Sequence, residues 1–267
     1  MGIITLGPKG TFSHEAAKRL FPKKKLTFAS SIDELFFRLS DSQFSEGVIP
    51  MENSLSDFVG ETIGNLMKYD FPLTQKIPLH VSYLLAGFDK EIDTLFAHPH
   101  AFKQCRRSLH LHYPGAKLIE TKSNAYSAIQ WLAHPKKSGA LVPSFAPNYY
   151  DLPILAEKME DDEDNYTTFY AIGKSPVSKK KEKQGSAFLL FSEPMVTTTK
   201  QISTLCHEKK IPLLKLKDFL LQEGETPLYF VEIEGHIEDK MVHSLFKELS
   251  EKFLIKYLGS YELISLL

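Results

Sequence analysis

Two successive series of short apolar runs, each alternating with amphipathic helical runs, limit what this chain can fold into more than any other feature. In the first, Gly2–Leu6, Leu26–Ala29 and Gly47–Pro50 read as strands, being short, β-branched and bounded by turn residues. Between them lie helices from Thr11 or Ser13 to about Leu20, stopped at Phe21-Pro22, and from Ser31 through Leu39, with Ser31 and Glu34 at capping-box spacing. A helix through Thr62, Ile63, Leu66 and Met67 follows, then an apolar stretch from Ile77 to Leu85 broken by Pro78. The second series has strands at Leu95–Ala97, Lys117–Glu120, Gly139–Val142 and Ile154–Ala156, with helices at Ala101–Leu109 and at Asn124–Leu132, the latter capped by Ser123. Such alternation predicts mainly parallel sheets with helices on both faces. Two series joined by crossovers near Pro78 and near Asn165 predict two lobes around a cleft, with strand ends facing the ligand.

The return crossover is Asp161–Lys174. Its acidic run, Asp161 to Asp164, reads as a solvated loop feeding a buried strand that begins at Asn165 and carries Thr167, Thr168 and Phe169 at its mouth. Beyond it, residues 175–184 are charged and nearly devoid of apolar side chains, the composition of a linker. Strands at Ser186–Ser192, Leu213–Leu221, Leu228–Ile233 and Ile255–Leu258, with helices at Thr198–Lys209 and Lys240–Phe253, then follow the βαββαβ order of a ferredoxin-like unit.

A net charge of −1 leaves no electrostatic footprint for nucleic acid or an anionic membrane surface, and Lys179–Lys181 is too short a basic run to supply one. No apolar run approaches a membrane span and no secretory leader is expected at Met1, so a cytoplasmic protein with free thiols at Cys105 and Cys206 is predicted. His98, His100, Cys105, His110 and His112 do not complete a metal tetrahedron at a familiar spacing, and no Gly-x-Ser-x-Gly elbow exists. The turn Gly7-Pro8-Lys9-Gly10 lacks the further residues of a dinucleotide fingerprint or P-loop, although its backbone N–H groups would suit an anion. Glu52, Asn53 and Ser54 offer three kinds of polar side chain just past a strand end, and Gln104 projects from the helix behind His98-Pro99-His100.

Several stretches in order carry a family resemblance: GPKGTFSHEAA (7–17), GVIPMENSLSDFVGET (47–62), HPHAFKQC (98–105), ILAEKMEDDEDNYTTFYAIGK (154–174) and LGSYE (258–262). The chain resembles prephenate dehydratase with a C-terminal ACT-type regulatory domain. The resemblance implies an α/β fold in which a two-lobed, periplasmic-binding-protein-like catalytic domain occupies 1–174, with lobe one at 1–78 plus the return segment 165–174 and lobe two at 79–164. A linker at 175–184 and an ACT domain at 185–267 complete it. Thr167 matches the family's catalytic threonine, and Glu52, Asn53 and Gln104 match cleft-lining polar residues. Ser54, Thr11, Ser13, Ser123, Thr168 and Phe169 are further expected contacts with the substrate, prephenate. No metal, no cofactor, no nucleic acid and no membrane partner is expected, and a homodimer or homotetramer is.

Departures from the family pattern bear on the chemistry. Thr168 stands where the family has an arginine, Ala97 and His100 replace its serine and glutamine, and its glycine-bearing loop is missing between Ser192 and Thr199. Thr168→Arg is expected to raise kcat/KM unless another cation compensates for the arginine, Lys9 and Lys103 being the candidates by motif position, and L-phenylalanine is expected to inhibit weakly or not at all. Two further readings stay open: an arogenate dehydratase, with Glu52 or Asp57 as partner of an ammonium group, and a non-catalytic binder of aromatic or amino acids.

Overall fold

The computed structural model describes residues 1–41, 43–180, 183–191, 196–220 and 227–264. Lys181, Ser192, Leu221 and most of the loop between Ser192 and Thr199 lie outside the described residues. Lobe one contains β1 (Gly2–Leu6), α1 (Phe12–Leu20), β2 (Leu26–Ala29), α2 (Ile32–Leu39), β3 (Phe44–Asn53), α3 (Gly60–Lys68) and β4 (Leu73–His80). Lobe two contains β5 (Tyr83–Gly87), β6 (Thr94–Ala97), α4 (Pro99–Gln104), α5 (Arg106–His112), β7 (Lys117–Glu120), α6 (Asn124–Ala133), β8 (Ser138–Pro143) and β9 (Ile154–Ala156). The return strand is β10 (Tyr166–Gly173). The C-terminal unit runs β11 (Gln184–Phe191), α7 (Val196–Glu208), β12 (Leu213–Phe219), β13 (Leu228–Glu234), α8 (Lys240–Lys252) and β14 (Leu254–Leu263).

The sheets are mixed rather than mainly parallel. β1 is parallel to β2 and β3, and β6 to β7 and β8, whereas β10 runs against β3 and β4, and β5 against β8 and β9. The cause is the double passage between lobes. β3 and β4 run toward the cleft, and β10, returning from lobe two, must run away from it. Pro78 does not break the chain between lobes but sits inside β4 opposite Thr168. Among the described residues the ladder of β4 with β14 does not extend past Lys76, so Pro78 takes no part in it and its missing N–H is tolerated there. The helix expected from Ala101 to Leu109 is two helices, α4 and α5, because Cys105 leaves helical geometry at φ −115°, ψ 19°.

A single sheet of nine strands, β12-β13-β11-β14-β4-β10-β3-β1-β2, joins the C-terminal unit to lobe one, and β7-β6-β8-β5-β9 forms lobe two. The order β12-β13-β11-β14 is that of a ferredoxin-like sheet. Strand alternation gives this unit two apolar faces. Phe188, Leu190, Tyr229, Val231 and Ile233 pack on α7 and α8, whereas Ala187, Leu189, Phe230, Leu258 and Tyr261 share a core with Phe36, Ile49, Ile63 and Tyr170 of lobe one. At the seam, the Glu232 carboxylate is 1 % exposed and takes two 2.7 Å bonds from Lys76 Nζ as well as the Tyr170 and Tyr261 hydroxyls. Breaking such a buried pair from one side typically costs about 3–5 kcal/mol, which opposes separation of the two units at the seam. Gly259 belongs to it: with φ +132°, a Cβ there would lie 2.6 Å from Leu73 N, and only glycine lets the strands approach.

Candidate active site

Cross-strand pairing of β3 with β10 assembles the centre of the site by setting Thr167 beside Asn53 and Thr168 beside Glu52. Met51, Glu52 and Asn53 thus belong to the strand rather than following it, since β10 continues the ladder to the cleft. Successive strand residues face opposite ways. Thr167 therefore looks into the interlobe cleft, while Thr168, 3 % exposed, looks into the space between lobe one and the C-terminal unit.

The cleft encloses about 240 Å³ and is lined by Asn53, Thr167 and Glu52 from lobe one, by Gln104, Asn124 and Tyr83 from lobe two, and by others at its rim. Asn53 is held from both ends. Leu55 N donates to its Oδ1 at 3.0 Å, and because a backbone N–H can only donate, the amide orientation is fixed. Asn53 Nδ2 consequently faces Asn165 Oδ1 (2.7 Å), the Tyr166 carbonyl (3.1 Å) and Thr167 Oγ1 (3.1 Å). Thr167 Oγ1 thus accepts from Asn53, leaving its own proton available to a group in the cleft.

Across the cleft, the side-chain oxygens of Gln104 and Asn124 are buried and have no partner. Asn124 contacts the phenol of Tyr83, which burial pushes well above the ordinary tyrosine value. Of the acidic run expected to be solvated, Asp162, Glu163 and Asp164 are exposed, but Asp161 is half-buried and anchors this wall. Asp161 accepts from Arg107 N at 2.8 Å and Ser108 N at 3.0 Å, meeting the first turn of α5, and Asp161 N donates to the Gln104 carbonyl at 2.7 Å. A charge at unpaired helix N–H groups compensates for its partial burial. The Glu160 carboxylate likewise accepts from Tyr83 N at 2.7 Å and Ser82 Oγ at 3.0 Å.

The other expected contacts lie elsewhere. The hydroxyls of Thr11 and Ser123 cap α1 and α6, accepting from His14 N and Tyr126 N, and neither lines the cleft. Ser13 is buried in α1, whose neighbour Phe12 reaches the cleft in its place. Ser54 Oγ accepts from Tyr166 N at 3.0 Å and donates to Asn165 Oδ1 at 3.3 Å, tying the strand mouth together. Phe169 is 1 % exposed in the core beneath. Thr168 shares its cavity, about 780 Å³, with Glu52, Lys76, Pro78, Lys215 and Glu232.

Neither lysine expected to replace the family arginine lines the cleft: Lys9 lies 5.4 Å over the Tyr149 ring and Lys103 is exposed on α4. The basic groups that do are His98 and His100. His98 Nδ1 accepts from His100 N at 3.3 Å, which places the proton of the neutral ring on Nε2, and burial together with the His100 charge holds its pKa below the ordinary histidine value. Tyr83 and Asn124 are polar lining residues that sequence reasoning did not place at the site, and it weighed His98 and His100 only as metal ligands and as a departure from the family pattern. Asn124 alone had a signal, in following the cap Ser123.

The family model for prephenate dehydratase matches residues 3–177. A bifunctional chorismate mutase/prephenate dehydratase of Aquifex aeolicus is 29 % identical over 265 residues, covering 97 % of this chain and 73 % of that protein. A prephenate dehydratase of Methanocaldococcus jannaschii is 32 % identical over 197 residues, 71 % of this chain and 70 % of its own length. The crystal structure of prephenate dehydratase from Arthrobacter aurescens in complex with L-Phe superposes with a TM-score of 0.84 at 19 % identity, covering 98 % of this chain and 90 % of that one, and shows a shared fold. With a match over most of its two lobes and relatives across its length, the chain belongs to the prephenate dehydratase family.

Proposed function

We propose that Thr167, held by Asn53, protonates the departing hydroxyl as the chain converts prephenate to phenylpyruvate, water and carbon dioxide. The observation that carries this role is the 3.1 Å bond from Asn53 Nδ2 to Thr167 Oγ1, which leaves the threonine proton to the cleft. As the ring carboxylate departs as carbon dioxide, its bonding pair enters the ring and expels the hydroxyl. Aromatisation supplies most of the driving force, and the protein has to align the dianion and give the leaving oxygen a proton, which solvent then restores to Thr167. Positioned proton donation contributes about 10²–10⁴-fold. Gln104 and Asn124, with unpartnered amide oxygens facing the cleft, orient the substrate's hydroxyl and keto oxygens; either amide presents its NH₂ on rotation. His98 and His100 meet the substrate's carboxylates.

The division into a catalytic domain at 1–174 and an ACT-type regulatory domain at 185–267 is part of the same proposal, supported by the ferredoxin-like strand order. So is a homodimer or homotetramer: β12 leaves an open edge at the end of the nine-stranded sheet, and covering such an edge favours association. The buried thiols of Cys105 and Cys206, neither in a disulfide, support a cytoplasmic setting.

Incubating the pure protein with prephenate and with arogenate, and following phenylpyruvate and phenylalanine, tests the assignment. Formation of phenylpyruvate as the preferred product is expected. A clear preference for arogenate, or binding of either compound without turnover, overturns it.

A further inference from the structure

Lobe two brings a hydroxyl of its own to the cleft, at Tyr83, the first residue of β5. The path of the chain sets it near Thr167: Thr167 pairs with Leu79 on β4, Val81 N donates to the Asn165 carbonyl at 2.8 Å, and Tyr83 follows directly after Ser82. Its backbone is held by the other crossover, where Tyr83 N donates to Glu160 Oε2 at 2.7 Å and Met159 N donates to the Tyr83 carbonyl at 3.0 Å. The ring is 2 % exposed and meets Phe12, another lining residue, edge-on with centroids 5.8 Å apart. A buried phenol needs a partner, and here it is Asn124, the first residue of α6. Because Asn124 Oδ1 is buried with no partner among the described residues, the amide meets the phenol through Nδ2, which can only donate. Tyr83 Oη therefore accepts from Asn124 as Thr167 Oγ1 accepts from Asn53, and each hydroxyl keeps its own proton for the cleft.

Side by side, the Tyr83 O–H and the Asn124 oxygen present a donor and an acceptor. Of the substrate's polar groups, the carboxylates and the keto oxygen only accept, whereas the ring hydroxyl both accepts and donates, and it is the group that leaves. We propose that Tyr83 is a second catalytic hydroxyl: it donates a hydrogen bond to the ring hydroxyl oxygen as that oxygen departs, while Asn124 accepts the hydroxyl's own hydrogen. Thr167 supplies the proton that completes the water molecule. Tyr83 keeps its proton throughout and stabilises the negative charge that develops on the oxygen before that transfer. Burial, the largest influence on the phenol, pushes its pKa upward and so keeps it a neutral donor.

The inference rests on the dehydratase assignment, and the full-length chain is used because the C-terminal unit shares a core with lobe one. Wild type, Tyr83→Phe and Asn124→Asp are compared for turnover of prephenate, for equilibrium binding of phenylpyruvate, which lacks the ring hydroxyl, and for thermal stability. Tyr83→Phe retains the ring and its contact with Phe12. It is expected to lower kcat roughly 10²-fold, with little change in KM and an unchanged affinity for phenylpyruvate. A wild-type kcat in this variant overturns the inference. So does a lower melting temperature with KM and phenylpyruvate binding weakened together while kcat holds, the pattern of a purely structural role. Should Tyr83→Phe fail to fold, Asn124→Asp decides. Its carboxylate can only accept, so the phenol proton turns to it and kcat at saturation should fall by a similar factor; an unchanged kcat overturns the inference. A wild type inert toward prephenate would instead refute the assignment itself.

Discussion

Replacing Asn53 by aspartate changes almost no atoms but reverses the hydrogen bond that prepares Thr167. Asn53 Nδ2 donates to Thr167 Oγ1 at 3.1 Å; a carboxylate oxygen there can only accept, so the threonine proton would turn to it and away from the substrate. Folding should tolerate the change. Asn165 Oδ1, now 2.7 Å from Asn53 Nδ2, would face the new carboxylate, but Asn165 Nδ2 is buried without a partner, and rotating that amide converts a repulsion into a donor bond. The bond to the Tyr166 carbonyl, 3.1 Å, is lost without replacement, a cost of about 1–3 kcal/mol. Catalysis should suffer more. Losing the positioned proton predicts a fall in kcat of about 10²-fold or more, or roughly 2.7 kcal/mol of transition-state stabilisation. The assay is steady-state formation of phenylpyruvate by Asn53→Asp, with circular dichroism and melting as folding controls. Lowering the pH toward the ordinary carboxylate range should restore part of the activity, since a protonated acid can donate again. A folded Asn53→Asp protein with wild-type kcat would refute the argument that the direction of this bond matters.

Thr168→Arg, which sequence alone expects to raise kcat/KM, is instead expected to leave it unchanged or lower it. Its side chain opens on the cavity that holds Lys76 and Lys215, and an arginine there would compete for Glu52; a rise in kcat/KM for prephenate would show that it reaches the cleft. His14 and His98 are both held below the ordinary histidine value, burial being the main cause for each, and each Nδ1 accepts a backbone N–H. The unfolded chain therefore binds more protons than the folded one as pH falls from about 6.5, and stability should decline over that range until the folded rings also protonate. Urea unfolding between pH 7.5 and about 5.5 measures the slope, and His14→Gln should flatten it; an equal slope in the variant would remove His14 from the account.

Local signals explain what could be read from the chain before its fold was known. Thr11, Ser31 and Ser123 announce helix starts because a cap bonds within three residues, and the strand at Tyr166–Gly173 announces itself by a β-branched and aromatic run. Even there, Glu34 returns its bond to Ser30 N rather than to the cap residue. What was not legible depends on distant partners. Asp162 to Asp164 are exposed as their composition suggests, but Asp161 looks like one more solvated carboxylate because nothing nearby shows that α5, more than fifty residues earlier, supplies N–H groups for it. Thr167 and Thr168 look equivalent until strand pairing assigns them to opposite faces. Glu52 looks like an acid in an anion site until β12 arrives with Lys215.

The role proposed for the Thr167 hydroxyl, protonation of the leaving group, is measured directly by comparing kcat for prephenate in Thr167→Ala and Thr167→Ser under conditions where both proteins are folded. Thr167→Ala should lose about 10²–10⁴-fold in kcat while Thr167→Ser, keeping the acceptor for Asn53 and the proton for the cleft, retains a good part of it. Near-normal turnover by folded Thr167→Ala would contradict the account.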